Sequence, residues 1–207
     1  SMTSPVDHFG AFSSFRFTSP GTSLIGVSDT GFWFFGTLTR DAEGRPSGFA
    51  EFSMQPMVDG DGNSTREKWT TDAEGIAVKG ELATVSFERV QRIAEFEIER
   101  DAMGAAIRDL DYLVPREELR SNRGFETIAY APPGGRLDGA RVVVAERSID
   151  EDGNCFAAIL EGPMKGVFTV ARSEGFDITD GAFLPDGDLL LLERRFTFAS
   201  GVAMRVR

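Results

Sequence analysis

The chain is 207 residues long, 41% hydrophobic and 27% charged, with a net charge of −11 and an isoelectric point near 4.6. That is enough chain to bury a sizeable core as one large domain or two small ones. The acidic balance argues against nucleic acid or an anionic membrane surface as a partner and leaves room for cations.

A single cysteine, Cys155, excludes an intrachain disulfide, and it reads as a small buried hydrophobe. A single histidine, His8, argues against a Ser-His-Asp triad or a zinc site with several histidines, and His8 itself reads as a surface or strand-edge residue. No apolar run reaches the length of a membrane span, and no signal peptide is legible. Ser1-Met2 reads as an addition ahead of a truncated start. The expected location is periplasmic or secreted if a signal peptide has been removed, and cytoplasmic otherwise.

In chain order, residues 9–35 read as strands: Phe15 and Phe17 alternate, Pro20-Gly21 turns, and Leu24-Ile25-Gly26-Val27 returns. Asp41-Ala42-Glu43-Gly44 is a hairpin turn. Residues 55–71 form a polar loop holding Asp59-Gly60-Asp61-Gly62-Asn63, which begins like a calcium loop. Its sixth position is Ser64 rather than Gly and its twelfth is Thr70 rather than Glu, so it reads as a turn. Strands follow over 72–98. Helical character is confined to 99–121, where Pro115-Arg116-Glu117-Glu118-Leu119 predicts one short helix near 115–120. Further strands occupy 122–147, 155–160, 167–170 and 177–206.

One pattern recurs through these strands. Asp72-Ala73-Glu74-Gly75-Ile76-Ala77 leads to Ser86-Phe87-Glu88-Arg89. Asn122-Arg123-Gly124-Phe125-Glu126 leads to Val144-Ala145-Glu146-Arg147. Asp177-Ile178-Thr179-Asp180 leads to Leu192-Glu193-Arg194, and a fainter copy runs from Ser13 to Asp29. With Ser13, Glu74, Glu126 and Asp180 as markers, the period is about 50 residues with about four short strands per unit, the signature of a β-propeller. An irregular β-sandwich explains the strands but not the repeat. The expected fold is therefore all-β: one propeller domain over 1–207, built of four-stranded antiparallel blades in units 9–60, 70–115, 122–172 and 176–207. The last unit stops early, so either residues near the N-terminus complete it or later blades are missing; the expectation is a propeller incomplete at its C-terminus.

Antiparallel pairing sets the start of each first strand beside the end of the second. This places Glu74 near Glu88-Arg89, Glu126 near Glu146-Arg147 and Asp180 near Glu193-Arg194. First strands line the channel of a propeller, so these acids converge at one of its ends. Carboxylates there suit a hard cation such as Ca²⁺, with Asp29, Glu74, Glu126 and Asp180 as candidate ligands. They also suit acid–base chemistry, with Glu74, Glu126 and Asp180 as candidate catalytic groups. Arg89, Arg123, Arg147 and Arg194 are candidates for holding a phosphate or carboxylate. The competing reading is architectural: each Glu-Arg pair ties blades together and has no chemical duty.

The residues that carry this pattern resemble the phytase-like family of bacterial propellers, described by an esterase-like activity of phytase. The resemblance rests on Ser28-Asp29-Thr30-Gly31, Asp72–Ala77, Ser86–Arg89, Asn122–Glu126, Phe176–Asp180 and the segment Phe183-Leu184-Pro185-Asp186-Gly187 through Phe196, and it spans nearly the whole chain. It implies a propeller whose Glu and Asp residues hydrolyse phosphate esters, a longer chain in typical members, and export in many of them. The expected function is thus a metal-dependent hydrolase of a small phosphoester or ester substrate. The alternative is a non-catalytic propeller that binds a small molecule, a glycan or an envelope protein.

Overall fold

The computed structural model describes residues 3–64, 71–120 and 123–207; Asn122 and Thr70 of the motifs above lie outside them. Among the described residues, fifteen strands form four antiparallel sheets in chain order. Blade 1 holds β1 (Phe12–Phe17), β2 (Ser23–Ser28), β3 (Phe32–Arg40) and β4 (Pro46–Pro56). Blade 2 holds β5 (Ala73–Lys79), β6 (Leu82–Phe87), β7 (Arg92–Glu97) and β8 (Arg108–Leu110). Blade 3 holds β9 (Phe125–Tyr130), β10 (Arg141–Ile149), β11 (Cys155–Ile159) and β12 (Gly166–Val170). Blade 4 has three strands, β13 (Asp177–Phe183), β14 (Leu189–Thr197) and β15 (Gly201–Val206). The helix expected near 115–120 is a single 3₁₀ turn, Arg116–Glu118, opened by Pro115. No helix of the described residues is long and apolar enough to cross a membrane.

The second strands of blades 1 to 3 are buried along nearly their whole length, because each is covered by a neighbouring blade on one or both faces. This is why Leu24–Val27 and Val142–Ala145 read as continuous apolar runs rather than as alternating ones. Hairpins are closed by a recurring five-residue turn. In Asp41–Arg45, Asp59–Asn63 and Asp150–Asn154 the first N–H donates to the fifth carbonyl, and the fourth residue is a glycine near φ +80°. Such a turn needs a left-handed residue, which only glycine adopts without strain. The calcium-like stretch is one of these turns, its Asp59 carboxylate accepting from the Asp61 and Asn63 N–H groups.

Three apolar clusters hold four blades together. Trp33, Phe35, Val27 and Ile76 join blades 1 and 2; Ile93, Phe125, Ile128 and Val143 join blades 2 and 3; Val142, Val144, Ile178 and Leu191 join blades 3 and 4. Cys155 is fully buried in the third cluster, where burial first of all pushes its thiol up to about 11. Among the described residues no such cluster joins blade 4 to blade 1. The outer face of blade 1 is covered by its own aromatics, with Phe9 from the N-terminal segment set against Phe12 and Phe52, and His8 stacked on Phe32. The outer face of blade 4 leaves Phe196, Val202, Met204 and Val206 exposed. The inner strands of blades 1 and 4 meet instead through a fork: Arg16 binds both oxygens of Asp180 at 2.7 and 2.9 Å.

Candidate functional site

Each blade carries a β-bulge at the same place in its first strand. Pairing between first and second strand skips one residue between Phe12 and Ser14, between Ala73 and Gly75, between Phe125 and Thr127, and between Ile178 and Asp180. The extra residues are therefore Ser13, Glu74, Glu126 and Thr179. A bulge leaves its extra residue unpaired and re-aims its side chain, which is how the otherwise buried first strands can present Glu74 and Glu126 to a cleft. Beside each bulge sits the second-strand residue that follows the partner of the position just before the bulge: Asp29 after Ser28, Glu88 after Phe87, Glu146 after Ala145 and Arg194 after Glu193. The N–H groups of the first three donate to the carbonyls of Ala11, Asp72 and Gly124, and Arg194 pairs with Asp177.

The marker for the fourth repeat is thus Thr179, not Asp180. A one-residue shift along a strand reverses the side chain's face. Asp180 accordingly turns to Arg16 and to the Ser14 hydroxyl, which donates at 3.0 Å, while its charge still adds to those that raise Glu126. Arg16 also donates to the carbonyls of Ile128 and Gly181, so Asp180 belongs to a tie between blades 1, 3 and 4.

Close approach of β5 and β9 brings the acids together. A Cβ on Gly75 would lie 2.7 Å from the Glu126 carbonyl oxygen. Alongside, the Ser86 hydroxyl donates to the Phe125 carbonyl at 2.7 Å and accepts from the Gly75 N–H, stapling blade 2 to blade 3. Two sets of three carboxylates result, each with oxygens within 4.8 Å of one another: Asp72, Glu74 and Glu88, and Glu88, Glu126 and Glu146. Glu88 belongs to both, and its Oε1 accepts from the Gly124 N–H. Asp29 lines the same cleft, of about 330 Å³, with Ser13, Glu74, Glu126, Glu146, Thr179 and Arg194, but it is in neither set. Glu88 and Glu146 were not among the sequence candidates, although the Glu-Arg pair ending each second strand was the signal that marks them.

The crowding perturbs all four glutamates. Burial, then the charges of Glu88, Asp72 and Asp29, raises the Glu74 carboxyl to about 8 against a hydrogen bond from Ser13. Burial, then Glu74, Glu146 and Glu88, lifts Glu126 well above the carboxylate range. Burial also raises Glu88 and Glu146, partly offset by the Gly124 N–H and by Arg123. At neutral pH the cluster therefore retains protons, with acid and conjugate base a few ångströms apart.

The four candidate arginines separate. Arg89 pairs with Asp72 at 2.6 Å and Arg123 with Glu146 at 3.1 Å. Arg147 lies 3.7 Å from Asp177, and Arg194 makes no ion pair among the described residues. Arg123, Arg147 and Arg194 line a second cleft that adjoins the first through Glu146 and Arg194.

A family model described as Phytase-like, esterase-like activity of phytase, matches residues 7–207. No curated protein matches the chain. Among solved structures, the WD40 domain of Neurospora crassa Pan2 is similar over 98% of this chain and 63% of its own, at 12% identity and a TM-score of 0.49. A candidate 6-phosphogluconolactonase of Bacteroides fragilis is similar over 94% of this chain and 53% of its own, at 12% identity and a TM-score of 0.46. The chain spans less than two thirds of the length of each.

Proposed function

This chain belongs to the Phytase-like family, and from that premise we propose that it is a hydrolase of ester or phosphoester bonds whose chemistry is carried by the glutamates of blades 2 and 3. The observation that supports this reading is the pair of carboxylate sets sharing Glu88. Glu74, with its carboxyl near 8, holds a proton at neutral pH and serves as the acid that protonates the departing oxygen. A neighbour whose carboxylate form is supported by a donor, Glu88 by the Gly124 N–H or Glu146 by Arg123, takes a proton from the attacking water as its oxygen bonds to the carbonyl carbon or phosphorus. Thr179 and Ser13 add hydroxyl groups to the same cleft.

The residues also fit a hard divalent cation. The donors are all carboxylate oxygens, and Glu126 is surrounded by other acids, with no cation among the groups that shift it. Either set sharing Glu88 would hold such an ion, and Ca²⁺ suits the donors. When bound, it would supply neutralisation of the cluster and polarisation of an ester oxygen. Asp180, spent on Arg16, takes no part in this reading.

The alternative, a propeller that binds without turnover, draws support from Arg89 and Arg123, which neutralise Asp72 and Glu146 in blade-end ion pairs. Assays on generic phosphomonoesters, phosphodiesters and carboxyl esters, with Ca²⁺ and with chelator, decide between them. Turnover lost in a Glu74→Gln/Glu126→Gln variant is expected; activity no greater in the native chain than in that variant sinks the hydrolase reading.

A further inference from the structure

The repeat that gives Asp29, Glu88 and Glu146 in blades 1 to 3 gives Arg194 in blade 4. The ring of acids is thereby interrupted by a guanidinium at the same backbone register. Beyond it opens the second cleft, of about 560 Å³, where among the described residues Arg123, Arg147, Arg172, Arg194 and Arg195 share the lining with three carboxylates, those of Glu146, Glu174 and Asp177.

Those three acids are already engaged. Glu146 accepts from Arg123, Glu174 pairs with Arg205 at 3.1 Å, and Asp177 takes two N–H groups of Arg172 on one oxygen at 3.0 and 2.7 Å. Asp177 therefore offers Arg147 no more than a 3.7 Å approach, Arg194 stands exposed, and the Arg195 Nε is buried with no acceptor among the described residues. The cleft is thus a local excess of positive charge in a protein of net charge −11, and planar guanidinium forks match the oxygens of phosphate or carboxylate.

We infer that this cleft is an anion-binding subsite, in which Arg147 and Arg194 hold a phosphate or carboxylate group of a small ligand. Arg194, common to both clefts, sets that ligand beside Glu146. The ligand is then bipartite, with its anionic group on blade 4 and its remaining part reaching the glutamates of blades 2 and 3. Only the link to turnover rests on the hydrolase reading; the binding site stands without it.

Calorimetric titration of the full chain with inorganic phosphate, phenyl phosphate and citrate, at low salt and with chelator present, tests the inference. Saturable binding is expected, weakening as salt is raised. It should fall by roughly ten-fold or more in Arg147→Gln/Arg194→Gln, fall less in Arg194→Lys, and stay unchanged in Arg136→Gln on an exposed loop. Preference for the phosphates or for citrate assigns the anionic group. The same titration on Glu126→Gln separates the two readings, since anion binding that persists there without turnover in any protein supports the subsite while removing the hydrolase. No saturable binding of any of the three anions, or equal binding by correctly folded Arg147→Gln/Arg194→Gln, overturns the inference.

Discussion

Glu74 and Glu126 occupy the same position in successive blades, each the extra residue of a β-bulge, and the charge of Glu74 adds to the burial that raises the Glu126 carboxyl across the line where β5 meets β9. A carboxylate cluster of this kind is maintained by the fold rather than contributing to its stability, and its cost depends on pH.

That dependence has a definite sign. The Glu74 carboxyl goes from an ordinary value of 4.5 to about 8 on folding, and Glu126 is raised as well. Below about pH 4.5 the folded and unfolded chains both hold these protons. As pH rises toward 8 the unfolded chain releases them while the folded chain retains them, so stability declines across that window. Thermal unfolding in chelator should show the melting temperature falling between pH 5 and pH 8, on the order of several degrees for a chain of this size. Glu126→Gln should recover stability at pH 8 and clearly less at pH 5. A flat profile, or an equal gain at both pH values, contradicts the burial of uncompensated acids.

Cation binding should reverse the decline. A divalent ion bound at a hundred times its dissociation constant adds about 2.7 kcal/mol to stability. Melting curves at pH 8 should therefore shift upward with Ca²⁺ by roughly 5–10 °C. Because Glu88 is shared by both carboxylate sets, Glu88→Gln should remove most of the shift, whereas Asp180→Asn should leave it intact. An undiminished shift in Glu88→Gln places the cation elsewhere.

The fold was legible because burial on both faces of the second strands writes unbroken apolar runs such as Val142–Ala145, and the acid-to-Glu-Arg spacing repeats with them. The site was legible only in part. Matching the repeats by residue type selects Asp180, the nearest acid, whereas hydrogen-bond register selects Thr179; a bulge shifts the frame by one residue without changing composition. The same slip hid the substitution of Arg194 for a carboxylate, since Glu193 beside it looks like the expected acid. In the structure Glu193 is buried between Arg205 and Arg207, partners from β15 and the residue after it that only tertiary pairing reveals. Coverage of blade 1 by Phe9 and His8 likewise depends on contacts with Phe52 and Phe32, which no local pattern announces.

Asp180 should prove to be a structural residue. Its side chain and that of Arg16 are about one-fifth exposed, and removing one member of such a pair strands the other. Arg16→Met is expected to destabilise the chain by ~2–4 kcal/mol. A double-mutant cycle with Asp180→Asn should show that the two losses are not additive. Denaturant unfolding of the four proteins measures this; independent, additive effects would mean that the fork does not couple blade 1 to blade 4.

Gly75 offers the most direct test of how the glutamates are brought together. It follows the bulge at Glu74, and a Cβ there would stand 2.7 Å from both the Glu126 carbonyl oxygen and the Ser86 hydroxyl. Neither neighbour can yield freely, because the carbonyl is part of β9 and the hydroxyl is bonded to Phe125. Gly75→Ala should therefore part β5 from β9, costing ~1–3 kcal/mol as overpacking does, and it should weaken the Ca²⁺-dependent rise in melting temperature by drawing Glu126 of blade 3 away from Glu88 of blade 2. Gly60→Ala, where nothing lies within 4 Å and the backbone is not left-handed, should change stability by less than about 0.5 kcal/mol. If Gly75→Ala were as benign as Gly60→Ala, the close contact between blades 2 and 3 would not be what positions the carboxylates.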